Sequence, residues 1–143
     1  MEIKTKAFDT VAIDPADIIT FARGLIGFED KQKFVLLGDP EKTEALVWLQ
    51  SIEDQNLALV AIQPRLFRTD YKPSVHLDEL KDLEVEDEAD LLVYAIITVP
   101  SQVAKMTANL KAPVVINVKN NKAKQVILND DRYKIKEPVF TEN

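Results

Sequence analysis

The sequence predicts a mainly β protein: a single compact antiparallel β-barrel-like domain over residues 1–143, with one or two short helices. Three observations predict it. Short β-branched and apolar runs recur between turn signals at about the 8–12-residue spacing of sandwiches and barrels. Helical periodicity is confined to Leu77, Leu80 and Leu83. No segment is left over for the crossover helices that a parallel sheet needs.

The elements can be justified in order. Ile3, Thr5 and Ala7 alternate with charged residues as a first strand, and Val11-Ala12-Ile13 follows as a second. Asp14-Pro15 turns the chain, and Asp17 to Phe21 is extended again. Phe21 to Asp30 carries two of the chain's three glycines, Gly24 and Gly27. This G-x-x-G lacks the Lys-Ser/Thr of a phosphate loop, so its glycines are read as turn residues that leave Leu25, Ile26 and Phe28 either tucked in or presented. Lys33 to Leu37 is a strand stopped by Gly38-Asp39-Pro40. Ala45–Ile52 and Asn56–Ile62 form a hairpin with Leu46, Trp48 and Gln50 on one face and Val47, Leu49 and Ser51 on the other. Pro64 ends it. The leucines at 77, 80 and 83 suit a short amphipathic helix capped by Ser74 or Asp78.

Leu91–Val99 is the longest apolar run, broken by Pro100-Ser101-Gln102. Val114–Lys119 and Lys122–Leu128 then read as a hairpin about a two-residue Asn120-Asn121 turn. That turn pairs Val118 with Ala123, Ile116 with Gln125 and Val114 with Ile127, leaving Gln125 a misfit on an apolar face. Val115 and Val126 make the root apolar on both faces, so the root is covered on both sides, by the chain's own second layer or by a partner. Tyr133–Lys136 alternates as a last strand.

Composition narrows the chemistry. There is no cysteine, which excludes disulfides, thiolate metal sites and cysteine nucleophiles. A net charge of −6 disfavours direct nucleic-acid binding and leaves the lysines at 111, 119, 122, 124, 134 and 136 as solvated strand edges. The apolar run is about half a membrane span, and MEIKTKAFD has no signal-peptide core, so no membrane association and a cytoplasmic location are expected. From Asp78 to Asp90 there are eight acids and one lysine, but no glycine to build a calcium loop. The tract reads as a solvated face or an electrostatic docking surface. The sole histidine, His76, has no activated serine to serve, because Ser51, Ser74 and Ser101 sit in no nucleophile-elbow context. No cofactor and no catalytic residue is expected. The rival from another class is a small metal-dependent hydrolase using Asp87, Asp90 and His76.

Three stretches carry a family resemblance. They are Phe21-x-Arg23-Gly24-Leu25-x-Gly27-Phe28-Glu29, Leu49-Gln50-Ser51 followed by Asn56-Leu57-Ala58, and Thr107-Ala108-Asn109-Leu110-Lys111-Ala112-Pro113 with Ile116-Asn117 and Gln125–Asp130. Together they resemble the flagellar assembly factor FliW family, over nearly the whole chain. Ile26 stands where the family often has proline, and Leu59 where phenylalanine is frequent. The resemblance implies a cytoplasmic, non-enzymatic regulator, monomeric when free. It would bind the C-terminal region of flagellin and, alternatively, the translational repressor CsrA, so coupling flagellin translation to its export. On the matching motifs, the expected contact residues are Phe28, Glu29, Gln50, Ser51, Asn56, Thr107 and Asn109. Each also has a structural reading, with Asn109 and Thr107 as turn caps and Phe28 as core.

Overall fold

The computed structural model describes residues 1–38 and 46–140. Asp39 and Pro40 of the expected turn, and Ala45 of the expected strand, lie outside them. Among the described residues the strands are β1 (Glu2–Lys4), β2 (Thr10–Ala12), β3 (Ile19–Phe21), β4 (Lys33–Leu37), β5 (Leu46–Ser51), β6 (Ala58–Ile62), β7 (Leu91–Thr98), β8 (Thr107–Ala108), β9 (Val114–Asn117), β10 (Lys122–Gln125) and β11 (Glu137–Pro138), with one α-helix, α1 (Leu77–Asp82), before β7 and short 3-10 turns between strands. Among the described residues no helix is long and apolar enough to cross a membrane.

The expected barrel-like sheet is closed into a ring by seven strands. Their order is β7-β6-β5-β4-β3-β10-β9, and β9 returns to pair with β7 through Leu92–Ile116 and Tyr94–Val114. All neighbours are antiparallel except β3 and β10, which run parallel with Phe21 beside Ala123. The period-2 alternation of side chains separates two cores. Inside the barrel lie Ile19, Phe21, Phe34, Leu49, Ala61, Tyr94, Val114, Ile116 and Ala123. There Phe21 and Phe34 meet edge to face at 5.4 Å. The opposite faces of β6, β7 and β9 present Ile62, Ala95, Ile97 and Val115 to a second, outer core with Tyr71, Leu83, Leu110, Leu128 and Tyr133. The cover over Val115 and Val126 is therefore the chain's own.

That outer layer comes from the segments outside the barrel strands. Tyr71 and Tyr133 stack edge to face at 4.6 Å. The Tyr71 hydroxyl donates to Leu110 O at 2.7 Å, and burial pushes its pKa up. Tyr133 serves this core instead of starting a strand; the last strand is β11, which pairs with β8. On the far wall, the β1–β2 hairpin covers β5, with Phe8 edge-on to Trp48 and Lys6 N–H donating to Gln50 Oε1 at 2.9 Å.

Helix α1 starts at His76, whose carbonyl accepts from Glu79 and Leu80 N–H, so neither Ser74 nor Asp78 is the cap. Its leucine stripe is only half used. Leu80 and Leu83 are buried, while Leu77, the first residue of the helix, is 72% exposed. The C-terminal end is held firmly. Glu84 N–H donates to Lys81 O and Val85 N–H to Leu80 O, a Schellman pattern with Glu84 at φ 55°. The buried Asn117 on β9 adds Nδ2 bonds to Leu83 O (3.0 Å) and Glu84 O (3.4 Å), and Asn120 adds one to Leu83 O (3.1 Å).

The β9–β10 hairpin differs from the expected register by two residues. Asn117 pairs with Lys122 and Val114 with Gln125. The turn is wider than two residues: Asn121, at φ 56°, donates its N–H to Asn117 O at 2.8 Å. An even slip keeps every side chain on its face, so the apolar face survives. Val118 and Ile127 leave the ladder and are exposed. Lys122 and Lys124 are not free edge lysines either. Lys122 Nζ lies 2.7 Å from Glu84 Oε2; Lys124 Nζ lies 2.8 Å from Asp82 Oδ2 and pairs with Glu79. These hydrogen bonds, from Lys124 and Lys122 respectively, hold the carboxyls of Asp82 and Glu84 below their ordinary values of 3.8 and 4.5. A lowered folded-state pKa stabilises above the ordinary value and is lost as pH falls through the lowered one. Acidification should therefore loosen α1 from β10 below about pH 4 while leaving pH 5–8 unaffected. NMR shifts of Leu80 and Leu83 methyls check this, and in Lys124→Met the acid response should shrink.

Candidate functional site

At one end of the barrel β3 and β5 finish and β4 and β6 begin. The C-terminal end of β7 reaches the same rim, since Ile97 lies opposite Val60 near the start of β6. All seven expected contact residues fall on this rim, but the structure divides them into exposed and supporting positions.

The loop between β3 and β4 is shaped by its glycines. Gly24 has φ +68°, and a Cβ there would stand 2.5 Å from Glu29 Cα; Gly27 has φ +90° with open space around it. Leu25 is buried, and Phe28 N–H donates back to Leu25 O at 2.8 Å, so the loop folds over its own leucine. Ile26 and Phe28 are left 52% and 37% exposed. Glu29 is exposed, and its Oε1 accepts from Gly27 N–H at 3.1 Å. Gln125, the misfit of the hairpin, fixes the loop from beside it. Its Oε1 accepts from Ile26 N–H (3.0 Å), and its Nε2 donates to Ala112 O (3.0 Å). A proline at position 26 would lack that donor, so Ile26 gains a tether where it departs from the family pattern.

Gln50 and Ser51 do not reach the surface. Both are at most 1% exposed. Gln50 Nε2 donates to the carbonyls of Ser51 (2.9 Å), Gln55 (3.1 Å) and Leu57 (3.2 Å), and Ser51 Oγ accepts from Glu53 (3.1 Å) and Asp54 (3.0 Å) N–H. They shape the β5–β6 loop from beneath, and Asn56 is the member of this motif that stands exposed on it. Glu53 joins this loop to its neighbour. Its Oε1 accepts from Gln32 N–H (2.9 Å) and Lys33 N–H (2.8 Å), and these two bonds hold its carboxyl below the usual range. The sequence flagged Gln125 only as a misfit on an apolar face and gave no sign of Glu53, because both act through partners far along the chain.

Thr107 is half-buried in β8, opposite Thr98 and Pro138. Asn109 donates its N–H to Ile96 O at 2.9 Å, and its Oδ1 accepts from Lys111 (3.2 Å) and Ala112 (3.0 Å) N–H. The side chain thus caps a turn. Val99 and Val103, beyond the end of β7, and Ile127, beyond β10, are further exposed apolar residues toward this end.

The alternative chemistry has a different geometry. His76 starts α1 through its backbone, and Asp87 spends a carboxylate oxygen on Ala89 N–H at 2.9 Å. The described residues hold no group of three acids or histidines placed to take a metal ion. Three members of the acidic tract, Glu79, Asp82 and Glu84, are paired with Lys122 and Lys124, which leaves its outer half as free charge.

Two mutational contrasts separate support from surface. Gly24→Ala should cost well over about 1 kcal/mol in urea unfolding, because it adds a backbone clash to an unfavourable φ, whereas Gly27→Ala should cost only about 1 kcal/mol. Gln50→Ala should cost about 1–3 kcal/mol through carbonyls left unpaired, while Asn56→Ala should stay within about 0.5 kcal/mol.

Comparison with known proteins gives this rim a context. The family model "FliW protein" matches residues 2–139. The chain is 42% identical over 142 residues to the flagellar assembly factor FliW of Thermoanaerobacter pseudethanolicus, and 44% identical over 142 residues to that of Treponema denticola. Each alignment covers 99% of this chain and 95% of the relative. A crystal structure of the flagellar assembly factor FliW superposes with a TM-score of 0.92 at 36% identity, covering 100% of this chain and 99% of the other. With its sequence matched over residues 2–139 and its fold matched at a TM-score of 0.92, the chain belongs to the FliW family of flagellar assembly factors.

Proposed function

We propose that the protein is a cytoplasmic regulator without catalytic activity, one domain and monomeric when free, that sequesters the translational repressor CsrA and alternatively binds the C-terminal region of flagellin. Flagellin retained in the cytosol would occupy the protein and leave CsrA free to silence flagellin translation; export of flagellin would release the protein to capture CsrA. Two partners competing for one regulator form a coupled binding equilibrium whose switching range is bounded by the difference in their affinities.

The observation that carries this reading is membership of the FliW family over residues 2–139, with the family's motifs gathered on one rim. The exposed members of that rim, Phe28, Glu29, Asn56 and the half-buried Thr107, are the proposed contacts. Gln50, Ser51 and Asn109 would act by holding those loops in shape. A net charge of −6 suits an antagonist of a basic RNA-binding protein. The outer half of the acidic tract is a second proposed contact surface.

Size-exclusion chromatography with light scattering tests the reading, using the protein mixed with CsrA and separately with flagellin at low and high salt. Co-elution with each partner alone, and no ternary peak with both, is the expected result. Asn56→Ala or Phe28→Ala should weaken one or both complexes without loss of folding. Any contribution from the acidic tract should fade as salt rises. Migration as an unbound monomer in every mixture would overturn the proposal.

A further inference from the structure

The barrel wall has an opening between β6 and β7, and the backbone there carries unused hydrogen-bonding groups. Val118 N–H donates to Asp90 O at 3.0 Å and Asn109 N–H to Ile96 O at 2.9 Å, so even-numbered residues of β7 turn their backbone groups toward β9 and β8. Odd-numbered residues therefore turn theirs toward β6. Ala95 and Ile97 find Ile62 and Val60 there. Continued by the same register, the partner of Val93 would be Pro64, which has no N–H. The Pro64 carbonyl is already taken by Phe67 and Arg68 N–H in a 3-10 turn. Leu91 spends its own N–H on Glu88 O. Among the described residues, nothing pairs with the N–H or C=O of Val93 or with the C=O of Leu91.

This edge borders a cavity of about 380 Å³ whose apolar wall includes Tyr71, Pro73, Val75 and Leu80, with the exposed Arg65 and Glu88 also on its border. A donor and an acceptor on one residue, with a second acceptor two residues away, is the pattern that another extended backbone completes. A compact ion would leave part of it unmet, and one charge of each sign on the border favours neither anion nor cation. We propose that this opening is a β-addition site that takes an extended segment of a partner protein, paired through its backbone to Val93 and Leu91 with apolar side chains at alternate positions against Tyr71, Val75 and Leu80. Val93 is half-buried and lines the cavity together with Leu91 and Pro64. The site lies toward the opposite end of the barrel from the rim and does not depend on the function proposed for it.

The test is amide exchange and chemical-shift mapping on the isotope-labelled full chain. Two probes are titrated to millimolar concentration: the blocked peptide Lys-Thr-Val-Thr-Val-Thr-Lys, and the same peptide with its second valine replaced by proline. In the free protein Val93 should exchange much faster than Tyr94, whose N–H faces β9. The first peptide should slow Val93 exchange by about tenfold or more and shift resonances of Leu91, Val75 and Leu80, while the proline peptide should not. Val75→Trp, which fills the cavity, should abolish the effect; Val75→Met, a gentler filling, should weaken it if the tryptophan variant does not fold. Protection of Val93 equal to that of Tyr94 in the free protein would overturn the proposal. So would an unchanged Val93 rate at saturating peptide, which leaves water as the partner of this edge, or equal effects from the two peptides.

Discussion

Closure of the barrel through β7 and β9 is the constraint from which the rest follows. Closing the ring puts Leu92, Tyr94 and Ile96 inside, and alternation then forces Leu91, Val93, Ala95 and Ile97 outside. Leaving Leu91, Val93 or Ile97 in water would forgo about 1.5–3 kcal/mol each. A strand apolar on both faces therefore needs a second layer. The segment after β6, helix α1 and the stretch through Tyr133 supply it, which explains why much of the chain outside the barrel is extended packing rather than regular structure. Asn117 joins the two layers: it sits in a barrel strand and bonds to the end of the outer helix.

The same division of labour organises the rim. Buried or half-buried polar side chains (Gln50, Ser51, Asn109, Gln125) spend their hydrogen bonds on loop backbone, and neighbouring exposed side chains such as Ile26, Phe28 and Asn56 are held in fixed positions. A binding surface built on loops is precise only when such support locks them. The two glycines of the first loop divide the task as well. Gly24 is required by space and by φ, Gly27 by φ alone.

Charge follows a parallel pattern. The lysines of β10 and the first acids of the acidic tract look like separate features, yet they face each other across the seam between barrel and helix. The exposed Lys122–Glu84 pair contributes little by itself, but with the half-buried Lys124 pairs it places α1 along β10 and leaves the uncompensated acids on the outer side.

Much of the architecture was legible in the chain itself. Short apolar runs between turn signals marked β4 to β7 within a residue or two, Pro64 marked the end of β6, and the three motifs carried the family. Backbone sterics and alternation are local properties, so local sequence records them. What only the tertiary structure decided depends on residues distant in sequence. The β9–β10 register slipped by two because Gln125 is bound to Ile26 and Ala112, and Asn117 to the end of α1. Tyr133 left its expected strand for a ring on Tyr71, and Gln50 turned inward to hold carbonyls up to seven residues ahead. A polar residue on a short strand reads the same whether it faces water or an unpaired carbonyl, and only the folded chain shows which of the two lies opposite.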